Sequence, residues 1–164
     1  MNTPESAVCL IYCKSNQSFL LLKRADNPRD PWSGHWALPG GRQDPSDQSL
    51  LDTAIRECRE ECGLTLLKTE LSETLPIEFA GKAYNKLIAV QPFFFEIASL
   101  PELTLQEEEI ASYNWLPQTT WEKTTHRQGK LSAKHPDLDF FYLDVDKTPL
   151  WGFTYQVIKN YIKL

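Results

Sequence analysis

A chain of 164 residues with a net charge of −5 and 41% hydrophobic residues is long enough to bury a full core without covalent staples. The acidic balance argues against a general nucleic-acid binder, although a bound metal can reverse the local sign for an anionic substrate. No stretch approaches ~18 consecutive apolar residues, and residues 1–6 lack a basic region ahead of the apolar run, so neither a membrane span nor a secretion signal is expected. The expected compartment is cytoplasmic.

Ala7 to Lys14 reads as a strand, residues 15–18 as a hairpin turn, and Phe19 to Arg24 as a returning strand apolar enough to be central. Residues 25–35 are a loop rich in turn formers, and Trp36–Leu38 is a short strand feeding a turn at Gly40-Gly41. A helix follows. Ser49, with Asp52 three residues later, is a capping-box start, and Gly63 is a left-handed stop. Leu64 to Leu71 resumes β character. Lys86 to Ile97 is the longest apolar strand, and Pro92 within it implies an edge or a bulge. Residues 98–108 form an acidic loop, Glu109 to Leu116 a strand, and residues 118–136 a short helix followed by a mobile loop. Phe140 to Val145 is a further strand, and Trp151 to Ile162 has the period of an amphipathic helix. No repeat or linker marks a boundary, so residues 1–164 are expected to form a single domain of α/β (α+β) class.

The four cysteines fall in two C-x₃-C pairs. Cys9 and Cys13 lie on a strand-like run, where residues four apart are separated by roughly 13 Å and cannot share one tetrahedral ion. Cys58 and Cys62 join Leu51, Ala54 and Ile55 on one helical stripe, the core face. Buried free thiols are expected.

Glu57, Glu60 and Glu61 cluster on a neighbouring face, roughly 120° away. Carboxylates at i, i+3 and i+4 repel one another, and a solvated helix gains nothing from that. A divalent cation turns the repulsion into a ligand set, and hard oxygen ligands suit Mg²⁺ or Mn²⁺. Gly40-Gly41 would let a backbone carbonyl approach the same ion.

The string Arg56-Glu57-Cys58-Arg59-Glu60-Glu61-Cys62-Gly63-Leu64 after Gly40-Gly41 resembles the Nudix box. Two departures are visible: Gln48 stands where the family usually has Glu, and one extra residue lies between Gly41 and Gln48. The resemblance implies a Nudix-type α/β/α sandwich with a mixed β-sheet. It also implies a pyrophosphohydrolase acting on phosphorus-containing anhydrides with Mg²⁺ (or Mn²⁺) as cofactor. Glu57, Glu60, Glu61 and the Gly40 carbonyl would hold the metal, and Arg56 would orient a carboxylate. The residue at position 48 would help hold the helix, and one of Glu107, Glu108 and Glu109 would supply a further ligand or the general base.

A second resemblance concerns the substrate. Leu20-Leu21-Leu22-Lys23-Arg24-Ala25, Arg29, Gly34 and Leu38-Pro39-Gly40-Gly41 are similar to the signature of coenzyme A pyrophosphatases within that family. Asp44-Pro45-x-Asp47-x-Ser49-Leu50 and Trp151-Gly152-Phe153-Thr154-Tyr155 look like the same branch. Cleavage would then give 3′,5′-ADP and 4′-phosphopantetheine. Lys23, Arg24, Arg29 and Arg42 would meet the phosphates, Trp32 and Trp36 would offer ring faces, and His35 would line the site. The same residues suit ADP-ribose or another nucleoside diphosphate derivative. A non-catalytic nucleotide-binding regulator of the same fold is the alternative of another class, disfavoured because all three helix glutamates are intact. The expected partner is a small-molecule diphosphate, with no stable nucleic-acid complex and no membrane; a homodimer is compatible with the sequence.

Overall fold

In the computed structural model, residues 3–81 and 87–162 are described. Strands β1 (Ser6–Cys13) and β2 (Ser18–Arg24) are antiparallel but pair only beside their turn, at Tyr12↔Phe19 and Cys13↔Ser18. Beyond that they diverge, and residues 36–42 fill the wedge. Strand β3 (Trp36–Ala37) pairs with β2, and β4 (Gly40–Arg42) pairs with β1, placing Val8 opposite Gly40 and Ala7 opposite Gly41. The Pro39 carbonyl between them accepts the Cys9 N–H at 2.7 Å. Gly40-Gly41 is therefore strand and not the expected turn. A Cβ on Gly40 would sit 2.2 Å from the Ala7 carbonyl oxygen, so only glycine lets the segment lie this close to β1.

Strand β7 (Ile88–Ile97) runs parallel to β1 from Ser6↔Val90 to Cys13↔Ile97. Its other edge is shared by β5 (Leu71–Thr74) and β6 (Glu78–Ala80), and β8 (Ile110–Pro117) closes the far side of β2. The result is an eight-stranded mixed sheet. Lys86, the expected start of the longest strand, lies outside the described residues. Pro92 is neither at an edge nor in a bulge: it sits in the middle of a central strand. Its carbonyl accepts the Leu75 N–H at 3.0 Å, so its missing N–H faces the gap between β5 and β6, where no ladder donor is needed.

Helix α1 (Leu50–Cys62) has the anticipated ends. The Ser49 hydroxyl accepts the Asp52 N–H at 3.2 Å, and Gly63, at φ 73°, donates to the Arg59 carbonyl. Period-2 alternation along β1 divides the core. Ala7, Cys9, Ile11 and Cys13 face α1, where Ala54, Cys58 and Cys62 are fully buried. Leu10, with Phe19, Leu21 and Phe94, faces α2 (Gln118–Lys123), α3 (Gly152–Ile162) and the small sheet formed by β9 (Arg127–Gly129), β10 (Phe140–Val145) and β11 (Thr148–Trp151). Helices thus cover both faces of a mixed sheet, the expected α/β/α sandwich. All four cysteines are buried free thiols, with Cys58 and Cys62 Sγ 3.8 Å apart.

Three further segments differ from the sequence expectation. Residues 64–67 carry no strand, and a 3₁₀ turn at Lys68–Glu70 precedes β5. Leu64 and Leu66 alternate into the core, which mimics a strand period without a ladder. Residues 124–136 are not simply a loop, because β9 pairs with β10. Trp151 ends β11, so α3 starts one residue later than its periodicity suggested. Among the described residues, no helix is long and apolar enough to cross a membrane.

Candidate active site

Helix α1 packs along β4, and this contact builds the site. Gly41 has no side chain because the Glu57 carboxylate occupies that space: a Cβ there would meet Glu57 Oε1 at 2.6 Å. In the antiparallel ladder the polar groups of Gly40 turn away from β1. Its N–H points to Glu61 Oε2 at 3.4 Å, and its carbonyl lies on the same side. Glu61 is only 5% exposed, the one buried acid of the helix. Burial pushes its pKa up to about 9, the negative charge of Glu57 pushes the same way, and the Gly40 N–H and Arg24 partly offset both. Glu57 is raised too, first by burial, against the pull of Arg56.

Glu60 differs from this pair. Its side chain is 52% exposed and turned to Arg56, whose Nη1 lies 3.1 Å from both Glu57 and Glu60. Arg56 also donates through Nε and Nη2 to the two oxygens of Asp47, at 2.9 and 2.8 Å, and through Nη2 to the Arg42 carbonyl. This fork holds Asp47 well below the usual carboxylate range and raises Arg56. Asp47 further accepts the Thr53 hydroxyl at 2.9 Å. Gln48 is exposed. The position expected to brace the helix is thus filled from one residue earlier, which the extra residue after Gly41 makes possible. The available signal was an aspartate nine positions before Arg56, in a loop otherwise made of turn formers.

Of Glu107, Glu108 and Glu109, the negative charge of Glu109 adds to the upward push on Glu57 and Glu61. Its own backbone is fixed by the Ala25 N–H at 2.8 Å.

Glu57 and Glu61, both raised first by burial and set beside a glycine backbone, form a hard-oxygen donor set whose neighbouring cation, Arg56, is shared with Asp47 and Glu60. That chemistry fits Mg²⁺ or Mn²⁺. No three carboxylate, imidazole or thiol side chains among the described residues converge as a closed cage. Mg²⁺ does not require one, because it keeps waters and shares its ligation with substrate phosphates.

A cleft of about 320 Å³ opens beside the acids. Arg24, Trp32, His35, Trp36, Gly40 and Gly41 all line it, together with Phe79, Val90, Phe140 and Trp151. His35 packs at a tilt against Trp151, ring centroids 5.4 Å apart, and Trp151 meets Phe140 edge to face at 5.0 Å. Burial lowers the His35 pKa, with Asp30 opposing and Arg24 reinforcing, which favours the neutral ring. Trp36 is chiefly a core anchor: it is 3% exposed and its Nε1 donates to the Val145 carbonyl. Arg29 and Arg42 do not line the cleft. Arg29 is exposed on the 25–35 loop, and the Arg42 guanidinium is 80% exposed beside Glu5. Lys23 is spent on Thr148 and the Trp36 ring. Of the four cations expected around the loop, only Arg24 reaches the site. The Phe140–Trp151 wall was not anticipated as a unit, since nothing in sequence links it to His35. A larger cavity of about 690 Å³ lies elsewhere on the α3 face of the sheet, but Glu73, Glu78, Glu96 and Glu122 face it and would repel a diphosphate.

Residues 3–134 match the family model of the NUDIX domain. An uncharacterized Nudix hydrolase, NudL, of Yersinia pestis is 46% identical over 160 residues, covering 92% of this chain and 73% of that protein. An uncharacterized protein of Schizosaccharomyces pombe is 38% identical over 104 residues; the match takes in 60% of this chain but only about a third of the yeast protein's length, 31%. In structure, a bifunctional NMN adenylyltransferase/ADP ribose pyrophosphatase of Francisella tularensis, solved with AMP and a Mn ion, superposes with a TM-score of 0.59. It is 18% identical and covers 99% of this chain and 42% of its own, a likeness of fold alone. The chain belongs to the Nudix family.

Proposed function

We propose that the protein hydrolyses the diphosphate linkage of a nucleoside diphosphate derivative with the help of Mg²⁺ or Mn²⁺. The observation that carries this reading is the pair of raised carboxylates, Glu57 and Glu61, set against Gly40-Gly41 at the mouth of the cleft. A divalent ion bound there would neutralise phosphate oxygens and lower the pKa of a water. Glu57, Glu61 and the Gly40 carbonyl would hold it, and Glu60 would join them on leaving Arg56. Arg56, braced by Asp47, keeps Glu57 in place. Glu109, whose backbone carbonyl accepts the N–H of Ala25 next to Arg24, is our choice of base for the attacking water. Arg24 neutralises the second phosphoryl group. All three box acids remain, which favours catalysis over a regulator that binds without cleaving.

Coenzyme A is the preferred substrate class. The cleft wall is aromatic and aliphatic, so the pantetheine arm can cover it, whereas the second ribose of ADP-ribose would bury hydroxyls against apolar rings. Arg24 is the one cation among the described residues that line the cleft. With Arg24 serving the diphosphate, dephospho-coenzyme A should be cleaved about as well as coenzyme A. The test compares kcat/KM for coenzyme A, dephospho-coenzyme A, ADP-ribose and NADH at one Mg²⁺ concentration. If ADP-ribose is cleaved at least as efficiently, the coenzyme A reading is wrong and only the diphosphate chemistry stands. If every compound survives while one binds tightly, the regulator reading replaces it.

A further inference from the structure

Asp30, a residue of the 25–35 loop that no site motif includes, forms an ion pair with Arg24. Asp30 Oδ2 accepts Arg24 Nε at 2.6 Å, and Oδ1 of the same carboxylate accepts the Trp32 N–H at 3.0 Å. The Asp30 side chain is 13% exposed, against 34% for Arg24. The loop around it is closed by its own backbone: Arg24 N–H donates to the His35 carbonyl, Gly34 N–H to the Arg24 carbonyl, and Ser33 N–H to the Asp30 carbonyl. One carboxylate thus fixes both the cation and the Trp32 backbone at the cleft mouth. A second attraction competes for the same guanidinium. Arg24 lines the same cleft as Gly40 and Gly41, and those two glycines lie against the Glu61 and Glu57 carboxylates. An arginine released beside an uncompensated buried carboxylate pairs with it.

We infer that Asp30 is a positioning residue: it holds Arg24 away from the Glu57–Glu61 pair, leaving the acids for a divalent cation and the guanidinium's outer edge for phosphate. This rests on the proposed metal-dependent reading of the site. Without Asp30, Arg24 would occupy the place of the ion and be lost to the substrate. Two defects follow from one substitution, and only one of them depends on Arg24 being present.

The experiment is a Mn²⁺ titration of the substrate-free chain by electron paramagnetic resonance, for wild type, Asp30→Ala, Arg24→Gln and the double variant. Folding is checked by thermal melts. Asp30→Ala should weaken Mn²⁺ binding about tenfold, the usual scale for a group acting behind a ligand. Arg24→Gln should bind at least as tightly as wild type. The double variant should recover wild-type affinity, while KM for the diphosphate stays raised in all three with kcat much less affected. A double variant as weak as Asp30→Ala would make Asp30 a merely structural support, and an unchanged affinity in Asp30→Ala would remove the competition altogether; either result overturns the inference. Asp30→Asn, which keeps an acceptor for the Trp32 N–H but loses the charge, should behave like Asp30→Ala toward Mn²⁺. Because the Mn²⁺ affinities are read without substrate, a wild-type chain that binds Mn²⁺ but cleaves nothing would refute the hydrolase reading while the comparison still decides the role of Asp30.

Discussion

On the β4–α1 side of the cleft, the chemistry comes from residues 40–61: the glycines, the glutamates, Arg56 and Asp47 all belong to one strand–loop–helix unit. On the opposite side, His35 meets Trp151 and Phe140, which come from the other end of the chain and lie beyond the residues that the family model matches. The first wall is charged and braced by hydrogen bonds; the second is apolar and held by ring packing. The difference separates two jobs. In the proposed reading, the local unit carries the reaction and the distant segments shape the space for the group attached to the diphosphate.

Substitutions can break this division or sharpen it. Glu57→Gln and Glu61→Gln should each lower kcat on the order of 10³-fold, the scale seen when a group facing developing charge is removed. Glu60→Gln should lose less, since Glu60 is half exposed and held by Arg56. Equal losses at all three would mean that the present orientation of Glu60 says nothing about its role.

Asp47→Ala should lower metal affinity or activity by roughly 10- to 100-fold, because it unhooks Arg56 from behind Glu57. Gln48→Ala should stay within about twofold of wild type, as expected for an exposed side chain with no part in the network. The reverse order, measured as kcat/KM at saturating Mg²⁺, would return the bracing role to position 48.

Across the cleft, Phe140→Ala should raise KM by about tenfold at most and leave kcat alone, since an aromatic contact is worth ~0.5–1.5 kcal/mol. A fall in kcat as large as that of Glu61→Gln would erase the distinction between the walls. Arg29→Ala and Arg42→Ala should have the smallest effects on KM, within about twofold, because both guanidinium groups stand outside the cleft.

The walls also differ in how far sequence reveals them. Helix α1 was legible with both its ends, since Ser49 and Gly63 are local signals and its core stripe follows from periodicity. The acids were legible as a cluster, but their inequality was not: Glu61 is buried and Glu60 exposed only because β4 lies against one side of the helix. Residues 36–42 looked like a strand and a turn because the wedge between β1 and β2 is a tertiary fact. The basic residues of the loop looked equivalent in sequence. Asp30 selects Arg24 among them, and Glu5 takes Arg42.

Burial of Glu61 has a consequence for stability in the metal-free chain. Its pKa rises from 4.5 to about 9 on folding, so between those values the folded state holds a proton that the unfolded state has released. The contribution is fully present below pH 4.5 and is lost as pH rises toward 9. Melting temperatures of metal-free wild type should therefore fall across that range more steeply than those of Glu61→Gln, and added Mg²⁺ should flatten the wild-type slope. Parallel slopes in the two proteins would mean that Glu61 ionises in the folded chain as it does in the unfolded one.

The most direct test is anomalous diffraction from crystals soaked in Mn²⁺. The arrangement of β4 and α1 predicts a peak within coordination distance, about 2.0–2.2 Å, of carboxylate oxygens from both Glu57 and Glu61 and beside the Gly40 carbonyl. A Mn²⁺ peak bound elsewhere, with Glu57 and Glu61 left unligated, would contradict the account.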